Sequence, residues 1–90
     1  MESFSVIYAG NLTSTDQVIF DNPSGCIVKN FMIYHQQNQP GRLKVSFDEV
    51  DFFMDLQANE MKRVDILPFT KKIIASGEGI NIHLSGFIIT

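Results

Sequence analysis

The sequence predicts an all-β protein in which residues 1–90 form a single β-sandwich domain of about eight short antiparallel strands. Two observations lead to this prediction. Short apolar runs, each ended by a turn signal, follow one another from Phe4 to Ile89, which is typical of sandwiches and barrels. No stretch shows the apolar periodicity of an amphipathic helix. We favour a jelly-roll-like arrangement, because about eight strands with short turns are typical of a jelly roll. An immunoglobulin-like sandwich is the alternative.

The first strands are predicted from alternation and from a strong turn signal. Residues 4–10 alternate between two faces and form the first strand, and residues 18–20 form a short second strand. The run Asn22-Pro23-Ser24-Gly25 ends the second strand, because Pro23 restricts the preceding residue to extended conformations and Gly25 can adopt a positive φ. We therefore expect a turn before the next strand.

The longest run, residues 26–35, is rich in β-branched and aromatic residues and predicts a central strand. A strand with apolar residues on both faces is either covered on both sides or has an outer face that docks on a neighbour. Strict alternation divides its apolar side chains between the two faces: Val28, Met32 and Tyr34 on one, Ile27, Phe31 and Ile33 on the other.

The rest of the chain predicts five further strands with short connections. Phe53 points away from the face that its neighbours in the strand share. Pro68 ends a strand, because proline cannot donate to a central ladder, and Gly86 interrupts the last strand, as glycine does at a β-bulge. These strands cover residues 43–47, 50–56, 62–67, 72–75 and 80–89.

The composition describes a folded chain with a surplus of apolar side chains. Hydrophobic residues make up 44% of the sequence, charged residues make up only 19%, and eight residues are Phe. An average domain contains roughly 25% charged residues. Because a thin sandwich has a limited interior, we expect part of this apolar surface to meet a partner.

Charge, cysteine content and the N-terminal segment exclude several classes of function. A net charge of −3 with only seven Lys and Arg argues against nucleic-acid binding. The segment Met1-Glu2-Ser3-Phe4 lacks the regions of a signal peptide, and no run approaches the roughly 20 apolar residues of a membrane span. Cys26 is the single cysteine, which excludes an intramolecular disulfide and predicts a buried, inert thiol. We expect a protein kept in a reducing cytosol, with neither membrane nor nucleic acid as partner.

No group of residues indicates a catalytic, metal or cofactor site. His35 and His83 lie in no recognisable motif, and we expect both at the surface or at an interface. The acidic residues within 48–55 match no calcium loop and predict a solvated or salt-bridged face. Gly77-Glu78-Gly79 is too short for a phosphate-binding loop and does not lead into a helix. The sequence therefore predicts a protein that is not an enzyme and that works by being bound.

Apolar side chains expected on solvent-facing sides form the candidate interface. Aromatic anchors contribute binding energy beyond their number, so such a patch indicates docking. The alternative is a thicker core, with both faces of residues 26–35 covered. The candidate interface residues are Phe31, Ile33, Phe53, Phe87 and Ile89.

Two segments of the chain resemble a known class of proteins. The aliphatic strand Val18-Ile19-Phe20 leads into Pro23-Ser24-Gly25, and the last strand reads Ile80-Asn81-Ile82-His83-Leu84-Ser85-Gly86. Many small all-β virion proteins of tailed bacteriophages carry an aliphatic strand before a Pro-x-Gly turn and end on a strand of this type. Over residues 5–89 the chain resembles these proteins, although His35 stands where they often have an asparagine.

The resemblance implies a non-enzymatic structural protein of the virion that needs no cofactor and is made in the host cytoplasm. It favours a capsid decoration or auxiliary protein that forms homo-oligomers, with trimers favoured, and docks on capsid subunits through apolar patches and sheet edges. The alternatives are a neck or tail component and a receptor- or carbohydrate-binding module at a tail tip. The loop Gln36-Gln37-Asn38-Gln39 is the candidate binding loop for the last alternative.

Overall fold

The computed structural model describes residues 2–65 and 69–89, and every regular element in this part of the chain is a β-strand. All of these strands belong to one antiparallel sheet in the order β1-β7-β2-β6-β3-β4, with β5 paired to β2 outside this path. The sheet is not closed, because β1 and β4 stand at its two ends. The strands are β1 (Glu2–Asn11), β2 (Gln17–His35), β3 (Gly41–Phe47), β4 (Val50–Leu56), β5 (Met61–Val64), β6 (Phe69–Ser76) and β7 (Ile80–Ile89).

The all-β prediction is confirmed, but two of the expected strands are one. β2 runs without a break from Gln17 to His35, so the turn expected at Asn22–Gly25 is absent. These four residues lie opposite the single residue Lys71 of β6, because Asp21 pairs with Lys72 and Cys26 with Thr70. Gly25 adopts a φ of 83°, and the Ser24 amide donates to the Asn22 side-chain oxygen at 3.1 Å. The Pro-x-Gly segment is therefore a bulge within a long strand.

β2 connects the two halves of the sheet. Its first half pairs with β6, which in turn pairs with β3. Its second half pairs with β7 on one side and with the short strand β5 on the other. The strand predicted for residues 62–67 is observed as β5 only as far as Val64, and its expected end at Leu67 and Pro68 lies outside the described residues.

A second bulge in β2 reverses which side of the strand faces the core. The register with β7 shifts between Val28 and Asn30, so Lys29 is the extra residue. Before the bulge, Cys26 and Val28 are buried, and after it Phe31 and Ile33 are buried. A strand that keeps strict alternation cannot bury residues of both parities on one face, and the bulge removes this conflict.

Gly86 lies directly against this bulge. The sequence predicts an interruption of the last strand at Gly86, but β7 is continuous and the extra residue lies in β2. A Cβ atom at Gly86 would lie 2.0 Å from the carbonyl oxygen of Ile27 and 2.9 Å from the amide nitrogen of Lys29. Both neighbours are backbone atoms, so a rotation of a side chain cannot relieve the clash. Only glycine allows β7 to approach β2 this closely.

One hydrophobic core lies on one face of the sheet. β2 and β7 contribute most of its side chains, and β3 and β6 supply the opposite part. The edge strand β4 contributes Leu56, whereas β1 adds only the partly buried Ile7 and Tyr8. Within the described residues no helix is long and apolar enough to cross a membrane. The buried hydrophobic residues are Leu12, Ile19, Cys26, Val28, Phe31, Ile33, Leu43, Val45, Leu56, Ile73, Ala75, Ile80, Ile82 and Leu84.

The turn between β3 and β4 is anchored to β6 by one carboxylate. Asp48 and Glu49 have φ values of 51° and 70°, as a tight hairpin with two positive-φ residues requires. The Asp48 Oδ1 atom accepts hydrogen bonds from the Lys71 and Lys72 amides at 2.9 Å each. These two bonds lower the pKa of Asp48, because they favour its charged form.

We expect Gly86→Ala to destabilise the protein by about 3 kcal/mol or more, because the added Cβ atom overlaps the β2 backbone. The control is Gly10→Ala, whose Cβ atom would meet the movable Tyr8 hydroxyl at 3.0 Å. That change should alter the free energy of unfolding by less than about 1 kcal/mol. Urea denaturation of both variants measures the difference. Equal stability of the two variants would contradict the role given to Gly86.

Asp48→Asn should be less stable than the native protein at neutral pH, and the difference should close in acid. The lowered pKa of Asp48 means that its charged form stabilises the fold above the unfolded-state value of about 3.9. This contribution is lost as the pH falls through the lower folded-state pKa. Asn tolerates a positive φ and keeps an acceptor oxygen, so the variant removes mainly the charge. Denaturation curves from neutral to strongly acidic pH measure the effect, and a gap that did not change with pH would contradict this account.

Candidate interaction surface

The structure divides the five predicted interface residues between the core and the surface. Phe31 and Ile33 are each 1% exposed, so their expected position on a solvent-facing side is wrong. The bulge at Lys29 turns both residues inward, which strict alternation does not anticipate. Phe53 is exposed, as expected, whereas Phe87 and Ile89 are half-buried on β7. The thicker core that we kept as the alternative therefore holds for Phe31 and Ile33.

Four apolar side chains lie in register across four neighbouring strands on the face opposite the core. β1 pairs Phe4 with Phe87 of β7, β7 pairs Phe87 with Ile27 of β2, and β2 pairs Ile27 with Phe69 of β6. Residues directly opposite one another on antiparallel strands point to the same side of a sheet. We call these residues, Phe4, Phe87, Ile27 and Phe69, the outer row.

The ends of the outer row are open to solvent. Phe4 is 60% exposed and Phe69 is 53% exposed. The Phe4 and Phe87 rings are in contact, with centroids 5.4 Å apart and planes at 76°, which is an edge-to-face arrangement. Lys29 extends the row with a positive charge, since its Nζ atom lies 6.0 Å from the Phe87 ring centroid. A contiguous exposed apolar surface with a charged margin is typical of a protein interaction site.

Sequence reasoning placed Phe87 in the interface but missed Phe4, Ile27 and Phe69. Alternation within one strand shows which residues share a face, but not which residue of a distant strand lies beside them. The outer row joins residues separated by up to 83 positions, from Phe4 to Phe87. Only the strand order and register bring them together.

The two histidines have different positions. His83 is exposed on β7, as expected. His35 is 1% exposed, so its expected place at the surface is wrong. Its Nε2 atom donates to the Gln39 carbonyl at 2.7 Å, and Gly41 packs so closely on the ring that a Cβ atom there would lie 2.6 Å from it. The Nδ1 atom has no hydrogen-bond partner among the described residues. His35 supports the turn that follows β2.

The acidic residues within 48–55 do not converge on one point. Asp48 binds two β6 amides, Asp51 accepts from the Ser46 hydroxyl, and Asp55 pairs with Arg42 at 2.8 Å. The Arg42 guanidinium lowers the pKa of Asp55. The described residues contain no cluster of three or more His, Cys, Asp or Glu side chains that could hold a metal ion. Of these residues, Asp55 forms a salt bridge on an exposed face, in agreement with the solvated or salt-bridged face that the sequence predicts.

The Gln-rich loop borders a polar cavity of about 320 Å³. Its lining includes His35, Gln37, Arg42 and Glu78. Neighbouring segments hold the loop in place: the Asn59 amide donates to the Gln37 carbonyl at 3.0 Å, and the Asn59 side chain donates to Asn38 at 3.0 Å. This cavity is where a glycan would bind if the chain were a carbohydrate-binding module.

Comparisons of the chain with models of known protein families, with curated proteins and with solved structures found no match. The functional assignment therefore depends on the surfaces of the molecule itself.

The Cys26 thiol should be unreactive in the folded protein. Cys26 is fully buried, and this burial, with a further contribution from the Asp48 charge, raises the pKa of the thiol to about 11. At pH 8 about one thiol in a thousand would be ionised. We expect Ellman's reagent to label Cys26 only after unfolding. Phe53→Cys, which adds an exposed thiol, is the control and should react with one equivalent at once. Rapid labelling of the native protein would contradict the burial of Cys26.

Proposed function

We propose that this protein is a non-enzymatic structural component of a tailed-bacteriophage virion, a capsid decoration or auxiliary protein that docks on capsid subunits. The outer row is the observation that supports this proposal. It presents Phe4 and Phe69 to solvent, at opposite ends of a surface four strands wide. Fully burying one such aromatic side chain contributes about 1.5–3 kcal/mol, so a partner that covers both gains substantially.

The outer row also indicates the chemistry of the docking site. A shallow apolar surface bordered by Lys29 fits a partner with an apolar groove and an acidic margin. Asp48 is engaged in a turn and Asp55 in an ion pair, so neither carboxylate is free for another role. A neck or tail component would use the same outer row on a different partner.

The finer architecture belongs to the same proposal. The long strand β2 pairs with β6 in its first half and with β7 in its second half. We propose that β2 turns the corner between two packed layers, as strands shared between sheets do in orthogonal sandwiches. Whether the connection is jelly-roll-like or immunoglobulin-like stays a prediction.

Incorporation into particles tests the proposal. The particles are those assembled from the genome that encodes the chain. Phe4→Ser and Phe69→Ser should each lower incorporation of the protein into these particles by about tenfold or more, since each removes a large apolar contact. Val18→Ser is the matched control, because Val18 is 56% exposed on β2 but lies far along the strand from Ile27. Quantitative immunoblots of purified particles measure the amounts, and thermal unfolding checks that all three variants fold.

Absence of the native protein from particles would overturn the proposal. If Val18→Ser lowered incorporation as much as Phe69→Ser does, the outer row would not be the docking surface. Saturable glycan binding that is lost on changing Gln37, with the outer-row variants unaffected, would favour the carbohydrate-binding alternative.

A further inference from the structure

β4 presents a free edge that lacks the usual protection against pairing. No strand within residues 2–65 and 69–89 pairs with the side of β4 that faces away from β3. The register between β3 and β4 is unbroken from Gly41 opposite Leu56 to Phe47 opposite Val50, so β4 has no bulge. Its sequence contains neither Pro nor Lys, and its two charged residues, Asp51 and Asp55, are bound within the protomer to Ser46 and Arg42. Natural proteins protect edges with these devices, so β4 is built as a strand that can pair further.

The edges formed by β1 and β5 are protected. β1 has a register shift between Val6 and Tyr8, which interrupts its ladder. β5 is only four residues long and carries Lys62 and Arg63. Short strands, bulges and basic side chains all oppose edge-to-edge pairing. Of the edges of β1, β4 and β5, the edge of β4 is the one left open.

The face of the sheet that carries the core also carries apolar residues of β4, but these residues lie outside the buried core. Phe52 lies opposite Val45, and Val50 lies opposite Phe47. The Phe47 and Phe52 rings are in contact, with centroids 6.0 Å apart. Phe52 is nevertheless 53% exposed, and Val50 is exposed to a similar extent. This apolar face of β4 is continuous with the core but is left uncovered, because no strand of the described residues lies next to the free edge of β4.

We propose that β4 pairs antiparallel with β4 of a second copy of this chain, about a two-fold axis at Phe52. A two-fold axis perpendicular to the sheet keeps each face continuous, so opposite residues must have the same parity and the axis must pass through one residue. With the axis at Phe52, Val50 meets Met54 of the second copy and Phe52 meets its own counterpart. The core face then extends across both copies as an unbroken apolar surface.

The charges on the other face exclude an axis at Asp51 or Phe53. An axis at Met54 opposes no carboxylates, but it would leave the exposed Val50 opposite Ala58, beyond the end of β4 in the second copy. With the axis at Phe52, Asp51 meets Phe53 of the second copy, and no two β4 carboxylates face one another. With the axis at Phe53, Asp51 would meet Asp55 of the second copy twice, and like charges directly opposite destabilise a sheet. With the axis at Asp51, the two Asp51 carboxylates would face each other. Glu49, in the turn before β4, approaches Asp55 of the second copy, where Arg42 already binds that carboxylate at 2.8 Å.

This pairing is independent of what the outer row binds. β6 and β3 separate β4 from the strands that carry most of the outer row, so one molecule can use both surfaces at once. Pairing of β4 with β4 of a second copy about a two-fold axis produces a dimer. The trimer favoured by the resemblance would instead require two different edges of the sheet to pair.

The solution mass of the native chain and of two charged variants tests the pairing. Light scattering between about 1 µM and about 1 mM should show a monomer–dimer equilibrium of the native protein. Phe52→Lys should weaken dimerisation by about tenfold or more, because two lysines then face each other across the axis. Phe53→Lys is the matched control, since Phe53 is 59% exposed on the same strand. It should leave dimerisation unchanged or strengthen it, because the new lysine meets Asp51 of the second copy.

Oxidation with diamide tests the register directly. Phe52→Cys should form an intermolecular disulfide rapidly, because the two positions face each other across the axis. Phe53→Cys should cross-link at least about tenfold more slowly, since its opposite residue is Asp51. The buried Cys26 thiol should not interfere. A strict monomer, a trimer, equal loss in both lysine variants or faster cross-linking of Phe53→Cys would each overturn the proposal.

Discussion

The close contact between Gly86 of β7 and the backbone of β2 is the constraint on which the rest of the structure depends. It allows β2 to accommodate the extra residue Lys29 while remaining paired to β7 on both sides of the bulge. The bulge then decides which side chains enter the core, since it directs Phe31 and Ile33 inward after Val28. A side chain at position 86 would separate the two strands at the point where most of the core is assembled.

The same contact also determines what the protein presents to solvent. Position 86 is on the core side of β7. Because successive positions of a strand alternate between its two faces, Phe87 points outward, where it meets Ile27 and Phe4. The outer row is therefore the other consequence of the register that forms the core. A change that shifted β7 by one residue would exchange the two sets of side chains and lose both the core and the outer row.

The open sheet accounts for the remaining apolar surface. Closure into a barrel would remove the free edges, but here β4 ends the sheet with Phe52 beside the core and without a neighbour. The polar groups, in contrast, are used within the fold. Asp48 anchors the β3–β4 turn to β6, and His35 supports the turn after β2. The apolar side chains that reach solvent are the basis of the proposed assembly with other proteins.

The sequence by itself determined the all-β class, most strand positions and the burial of Cys26, and it indicated an irregularity at Gly86, although the extra residue lies in β2. These follow from local properties: alternation, β-branched and aromatic residues, and the conformational limits of Gly and Pro. Local signals misled at Asn22–Gly25, where a turn signal forms a bulge because β6 continues alongside it. The tertiary structure alone decided which face of β2 is buried and which distant residues meet in the outer row. Register between strands far apart in the chain depends on the packing of the whole sheet, and a single bulge reverses every assignment that follows it.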